Sequence, residues 1–166
     1  MEKAILACGC FWGVQSAFDT VAGVVSTRVG FTGGKVPDPS YMEVASGRSG
    51  HAEAIEITFD PKEVSFSELL DVFFDIHDPT QLNRQGVDVG SQYRSAVFYL
   101  NDKQKKAAVE KIAALRKLSR YNGEIVTEVT EAATFYPAEE FHQHYHAKRG
   151  ITACKSSHCG RRGELL

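Results

Sequence analysis

Hydrophobic residues recur along the chain with two different periods, and these periods predict its strands and helices. In the segment 52–59 the apolar residues Ile55, Ile57 and Phe59 alternate with polar or small ones, which is typical of a strand. Apolar residues at helical spacing follow the capping-box pattern Ser-Phe-Ser-Glu at 65–68. In chain order the predicted elements are strand 4–7, helix 10–21, strand 24–31, strand 52–59, helix 65–76, strand 94–100, helix 102–118, strand 124–129 and a short helix at 138–146.

The order of these elements predicts the class of fold. The first six elements follow the order β-α-β-β-α-β, which is that of a split β-α-β sandwich, and a further helix and strand come after them. We therefore predict an α+β fold, a ferredoxin-like split β-α-β sandwich with an additional helix and strand and an irregular C-terminal tail over about 149–166. The segments 32–50 and 78–92 are predicted to be long loops, which are usually functional. The helix at 102–118 is predicted to turn these residues inward: Val109, Ile112, Leu115 and Leu118.

Composition and charge limit the class of protein. The 166 residues suffice for one domain, and 43% hydrophobic with 24% charged residues is ordinary globular composition. A net charge of -2 favours neither nucleic acid nor an anionic membrane as a partner. No apolar run approaches the roughly 20 residues of a membrane span, and the segment 1–7 is too short for a signal peptide. We expect one soluble, cytoplasmic, monomeric domain over 1–166.

Four cysteines lie at the two ends of the chain: Cys8, Cys10, Cys154 and Cys159. Their low density in a reducing compartment does not fit a disulfide scaffold, so they are metal ligands, redox partners or buried core residues. Cys10 lies where a strand passes into a helix, and the dipole and free amides of a first helical turn favour a thiolate. The alternative is that Cys10 is a small buried hydrophobe beside Phe11 and Trp12. Cys8 lies within the strand and is expected to be structural.

Glu53 is the most informative acid. It shares strand parity with Ile55 and Ile57, so its side chain is predicted to point to the apolar side of the sheet. A buried carboxyl without a cationic partner has a raised pKa and remains protonated near neutral pH, as a general acid must. The alternative is a glutamate at the strand end that turns into solvent.

The remaining polar candidates have ordinary structural explanations. Tyr41 and Tyr93 in the two long loops could be packing residues, and Asp88 could be a turn residue. His142 and His146 are spaced for one helix face, so a zinc site with the last two cysteines is conceivable. Those cysteines, however, are separated by four residues rather than two, and no turn glycine lies between them. We therefore expect the histidines to form a solvated face instead of a zinc site.

Several strings in the chain resemble one enzyme family. Gly-Cys-Phe-Trp-Gly at 9–13 resembles the active-site signature of the A-type peptide methionine sulfoxide reductases. Further stretches resemble that family in the same order, at 29–34, 41–54, 77–86, 90–95 and 135–142. The resemblance covers about residues 5–150, and a set of ordered matches is far more specific than the first string alone.

The resemblance implies roles for residues already singled out. Cys10 matches the nucleophile, and Phe11 and Trp12 match the walls of an apolar pocket for the methyl group of the substrate. Glu53 matches the acid that protonates the sulfoxide oxygen.

Other implied roles concern the two loops and the tail. Tyr41 and Tyr93 match phenols that hydrogen-bond the sulfoxide oxygen, and Asp88 matches a polar residue that organises the site. The tail departs from the glycine-rich family pattern. Cys154 falls at the distance expected for the recycling cysteine, and Cys159 is expected to receive the disulfide from it.

The implied activity is reduction of methionine S-sulfoxide, free or in oxidised proteins, through a sulfenic acid and an intramolecular disulfide. Thioredoxin is the expected reductant, and no metal or organic cofactor is required. Two alternatives remain open, a zinc-binding module and a thiol peroxidase. The aromatic pair Phe11 and Trp12 argues against a peroxidase, because peroxide has no methyl group to bury.

Overall fold

A computed structural model describes residues 1–151 of the chain; Cys154 and Cys159 lie outside the described residues. The strands are β1 Glu2–Cys8, β2 Val24–Thr32, β3 Ala52–Phe59, β4 Arg84–Gln85, β5 Asp88–Val89, β6 Ser95–Tyr99, β7 Glu128–Glu131 and β8 Tyr136–Pro137. The α-helices are α1 Phe11–Phe18, α2 Tyr41–Ala45, α3 Phe66–Asp75, α4 Asp102–Lys117 and α5 Tyr145–Lys148. Short 3-10 helices lie at Ser91–Tyr93 and Glu140–His142.

The main sheet has six strands in the order β7-β6-β1-β3-β2-β8. Its four central strands, β6, β1, β3 and β2, pair with one another in antiparallel fashion. The units β1-α1-β2 and β3-α3-β6 therefore interleave, which is the split β-α-β arrangement. After α4, β7 adds parallel to β6, and β8 pairs with β2 at the opposite edge. The predicted α+β fold, with its additional helix and strand, is confirmed.

Two apolar cores form because side chains alternate across the sheet. The larger core lies between the sheet and the helices, and Phe31, Ile55 and Phe73 are fully or almost fully buried in it. The smaller core lies on the other face, where Phe98 packs beneath Phe135. Burial of each such large side chain stabilises the fold by roughly 1.5–3 kcal/mol.

Helix α4 turns a different face inward from the one predicted. Ile112 and Leu115 are buried as expected, but Val109 is 52% exposed and Leu118 is 67% exposed. Ala108 lies one turn before Ile112 and is fully buried. The buried face of the helix therefore runs through Ala108, Ile112 and Leu115 and leaves Val109 outside it.

Other predicted boundaries also differ from the structure. Helix α1 ends at Phe18, and the strand predicted at 124–129 is β7, which begins only at Glu128. The amide of Val126 donates to the carbonyl of Pro79 at 2.8 Å, so this part of the chain pairs with a loop before it reaches β6.

The two predicted loops contain short elements. Helix α2 lies within 32–50, the β4–β5 hairpin lies within 78–92, and a 3-10 helix begins at the end of that segment, at Ser91. In the part of the chain that the structure describes, no helix is long and apolar enough to span a membrane.

Candidate active site

Cys10 occupies the N-cap position of α1, at the point where β1 ends. The turn between them requires Gly9, whose φ is +102° and whose Cα faces the Gln85 side chain so closely that a Cβ would lie 3.0 Å from it. The backbone N–H groups of Trp12 and Gly13 donate to the Cys10 sulfur. The first turn of α1 thus supplies the unpaired amides that the sequence predicted.

The thiol is nevertheless not activated in this structure. Burial, followed by the negative charges of Glu53 and Asp88, raises the pKa of Cys10 to about 12. The hydrogen bonds from the helix amides lower the pKa, but they are outweighed. The helix amides thus favour the thiolate as expected, but burial of the thiol has the larger and opposite effect on its pKa, and the sequence does not show that burial. Cys8 is buried within β1, as predicted.

Glu53 lies in β3 on the helix-covered face of the sheet and is only 3% exposed. Burial, with a further contribution from the charge of Asp88, raises the pKa of Glu53 to about 8. Its Oε2 atom is buried and has no hydrogen-bond partner among residues 1–151. The solvent-exposed alternative is excluded, and the carboxyl is protonated near neutral pH.

Tyr41 and Tyr93 are carried by the two segments predicted to be loops. Tyr41 is the first residue of α2, whose N-terminus is capped by the side chain of Ser40. Tyr93 ends the 3-10 helix that precedes β6. The side-chain amide of Gln92 donates to the carbonyl of Ala45 at 3.3 Å, which ties the second segment to the end of α2. Both tyrosines are half-buried.

Both phenols belong to the same electrostatic cluster as the thiol. Burial, followed by the charge of Glu53, raises the pKa of Tyr41 and Tyr93. Cys10 and Asp88 contribute to both shifts as well. Burial also raises the pKa of half-buried Asp88. The structure therefore brings together a thiol, a neutral carboxyl and two phenols that remain hydrogen-bond donors near neutral pH.

An aromatic wall adjoins this cluster. It consists of these residues: Phe11, Trp12, Tyr41, His142 and Tyr145. The indole N–H of Trp12 donates to Nδ1 of His142 at 3.1 Å, and the Trp12 ring stacks on Tyr145 at 3.7 Å with an interplanar angle of 6°. His142 also packs on Tyr41 at 4.5 Å and on Phe11 at 5.6 Å. Phe11 and Trp12, the predicted pocket residues, thus both contact His142; Phe11 is buried and Trp12 is half-buried.

The sequence interpretation missed His142 and Tyr145. The predicted helix at 138–146 is broken at His144, whose φ is +50°, so His142 and His146 do not share a helix face. His142 is 1% exposed, and the expected solvated histidine face is wrong for it. The only sequence signal was that His142 ends the motif at 135–142. Within residues 1–151, no group of three His, Cys, Asp or Glu side chains could hold a metal ion.

Comparison with known proteins identifies the family. The family model described as peptide methionine sulfoxide reductase matches residues 2–164. The chain belongs to the peptide methionine sulfoxide reductase family. This reductase is 54% identical to peptide methionine sulfoxide reductase MsrA of Methanothermobacter thermautotrophicus, over 92% of this chain and 90% of that protein.

Solved structures agree with this assignment. The reduced form of Mxr1 from Saccharomyces cerevisiae superposes with a TM-score of 0.83 and 34% identity, covering 94% of this chain and 90% of that chain. Mxr1 in complex with Trx2 superposes with a TM-score of 0.59 and 28% identity, covering 87% and 84%. The reductase is therefore an oxidoreductase that acts on methionine sulfoxide, as the sequence resemblance implied.

The charge of Glu53 makes the reactivity of the Cys10 thiol depend on pH in a way that can be measured. Below about pH 8 Glu53 is neutral, so Glu53→Gln leaves the rate of Cys10 alkylation by iodoacetamide unchanged. Above that pH the wild-type carboxylate raises the thiol pKa, and we expect the variant to react faster, by roughly three- to tenfold.

The rate is measured by mass spectrometry of the peptide that contains Cys10. Glu56→Gln is the matched control, because Glu56 lies on the same strand, on the opposite face, where it pairs with Arg28 and Lys3. A ratio of variant to wild-type rates that does not change with pH would contradict the electrostatic coupling.

Proposed function

We propose that Cys10 and Glu53 together reduce the S epimer of methionine sulfoxide, free or within oxidised proteins, as nucleophile and general acid. The observation that supports this is a carboxyl that burial keeps protonated and that is electrostatically coupled to a partly buried thiol. A sulfoxide oxygen is a poor leaving group until it is protonated, so the reaction requires an acid that still holds its proton near neutral pH.

The chemical step transfers one oxygen atom. Glu53 donates its proton to the sulfoxide oxygen while Tyr41 and Tyr93 donate hydrogen bonds to it, and Asp88 helps to organise these groups. A bond between the Cys10 sulfur and the protonated oxygen forms as the bond between the substrate sulfur and that oxygen breaks, and methionine leaves. Cys10 ends as a sulfenic acid, and the proton of its thiol returns Glu53 to the protonated state, so the step balances.

The raised pKa of the thiol fits this scheme. A thiol with a pKa of about 12 is unreactive while the site is empty, and it loses its proton only when the partial positive charge on a bound sulfoxide sulfur lies beside it. Half-buried Trp12, which packs against the core cluster that contains Phe11, supplies the apolar surface that a methyl group needs and a peroxide does not. This favours sulfoxide over peroxide as the substrate.

Recycling uses the tail. Cys154 attacks the sulfenic sulfur, water leaves, and a disulfide with Cys10 forms. Cys159 then attacks that disulfide, and a thioredoxin dithiol reduces the resulting bond by exchange. Support for this partner comes from the relative Mxr1, which forms a complex with the thioredoxin Trx2.

We also propose that residues 1–166 form one catalytic domain with its tail beginning at about 149, and that the enzyme works in the cytoplasm. Support comes from a single sheet that uses strands from residue 2 to residue 137. The low cysteine content, typical of reducing compartments, supports the cytoplasmic location.

Turnover of each methionine sulfoxide epimer with dithiothreitol tests the proposed roles. Cys10→Ser should abolish reduction of the S epimer, because a hydroxyl is far less nucleophilic than a thiolate. Glu53→Gln should lower the rate by roughly two to four powers of ten with little effect on binding, whereas Glu56→Gln should not. Appreciable turnover by Cys10→Ser, or equal use of both epimers, would refute the scheme, and faster turnover of peroxide would indicate a peroxidase.

Single variants of the tail cysteines test the order of recycling. With thioredoxin as reductant, Cys154→Ser should stop multiple turnover while one equivalent of methionine is still released, because the sulfenic acid forms without it. Cys159→Ser should retain turnover with dithiothreitol but lose it with thioredoxin. Full thioredoxin-driven activity in Cys159→Ser would show that Cys154 alone recycles the enzyme, and the same result in Cys154→Ser would show that the resolving thiol is another residue.

A further inference from the structure

Gln143 makes an unusual set of contacts with the backbone of β2. Its Oε1 accepts from the amide of Val29 at 2.9 Å, and its Nε2 donates to the carbonyls of Val29 at 2.9 Å and Ala138 at 3.0 Å. The regular pairing of β2 with β8 ends at Gly30 and Pro137. One more backbone bond follows, from the amide of Ala138 to the carbonyl of Val29 at 2.9 Å, and the side-chain amide of Gln143 shares that carbonyl and pairs the amide of Val29. Its bond to the carbonyl of Ala138 also closes the chain from 138 to 143 into a tight loop.

That loop carries His142 of the aromatic wall. Because Gln143 is 9% exposed and its amide is satisfied on both sides, the neighbouring His142 has little freedom to shift. The Nδ1 atom of His142 accepts from Trp12, so a hydrogen bond connects the indole ring to this loop.

A second buried glutamine holds the next residue of the chain. Gln15, 1% exposed in α1, accepts from the amide of His144 at 2.7 Å and donates to the hydroxyl of Thr27 at 3.1 Å. Residues 142–144 are thus attached to β2 on one side and to α1 on the other.

The chain beyond this attachment leads directly to the tail. Tyr145 stacks on Trp12, and the guanidinium of Arg149 lies 3.4 Å from the centroid of the Tyr145 ring. Ile151 donates its amide to the carbonyl of His146 at 2.9 Å. Cys154 is three residues beyond Ile151, and three residues span at most about 11 Å. The anchored segment therefore limits where the Cys154 thiol can go.

We propose that Gln143, assisted by Gln15, is a positioning residue with two roles in catalysis. It holds the Trp12 side of the substrate pocket in place, and it sets the point from which the tail carries Cys154 to the sulfenic acid. The second role rests on the proposed function of Cys154, whereas the first does not.

The test compares two buried glutamines with the same local chemistry. Gln143→Met keeps the approximate volume of the side chain but removes every hydrogen bond to the backbone. Gln104→Met is the matched control: Gln104 is 5% exposed, accepts from the amide of Leu100 and donates to the carbonyl of Lys3. Gln104 lies on α4, outside the aromatic wall, so the control reports the general effect of losing such an amide.

Steady-state assays with the S epimer of methionine sulfoxide and dithiothreitol test the first role. In Gln143→Met the KM should rise roughly tenfold with little change in kcat, because the wall contributes to binding in both ground and transition states. The fluorescence of Trp12, the only tryptophan, should also change, since its hydrogen bond and its stacking partner are displaced. Gln104→Met should change neither quantity.

Rapid quenching after a single turnover tests the second role. Formation of the disulfide between Cys10 and Cys154 should slow roughly tenfold in Gln143→Met and remain at the wild-type rate in Gln104→Met. If the wild type itself forms no such disulfide, the proposed recycling is wrong, and the first role is then decided by KM and fluorescence alone. If Gln143→Met does not fold, Gln15→Met is measured in the same way, because the ladder to Val29 remains intact in it.

The proposal is overturned if the folded variant matches Gln104→Met in KM, fluorescence and disulfide rate. It is also overturned if Gln143→Met and Gln104→Met both show changes in kcat, KM and stability. Gln143 would then be a structural residue only.

Discussion

The burial of one carboxyl group beside one thiol is the constraint on which the rest of this structure depends. Glu53 is 3% exposed, and its Oε2 atom has no hydrogen-bond partner among residues 1–151. A buried carboxyl without a hydrogen-bond partner destabilises the fold when it is charged and much less when it is neutral. Glu53 therefore remains protonated. The same burial raises the pKa of Cys10. In the proposed reaction the carboxyl proton passes to the sulfoxide oxygen, and the thiol proton then restores Glu53 to its protonated state.

The fold provides this environment with ordinary elements. Strand alternation directs Glu53 toward the helix-covered core, and the positive φ of Gly9 turns the chain so that Cys10 begins α1. The segments that carry Tyr41 and Tyr93 bring both phenols into electrostatic contact with Glu53 and Cys10, and the aromatic wall, which includes Tyr41, adjoins them. Chemistry is thus placed on loops and element ends, while the sheet determines their relative positions.

Local sequence patterns predicted those structural features that depend on residues close together in the chain. The parity of Glu53 and the order of the main strands and helices along the chain follow from periodicity, and both were confirmed. The roles of His142 and of the α4 face could not be predicted in this way, because they depend on partners distant in sequence, such as Trp12, 130 positions before His142. The pKa of Cys10 belongs to the same class, since the N-terminus of a helix is visible in sequence and the depth of burial is not.

The protonation state of Glu53 in the free enzyme is the most direct test of this account. Infrared difference spectroscopy of wild type minus Glu53→Gln, recorded as a function of pH, isolates the C=O stretch of the protonated carboxyl. The account predicts that this band is present near neutral pH and disappears with a midpoint at about 8. A midpoint near the ordinary value of 4.5 would contradict the account, because the site would then hold a carboxylate with no proton to give.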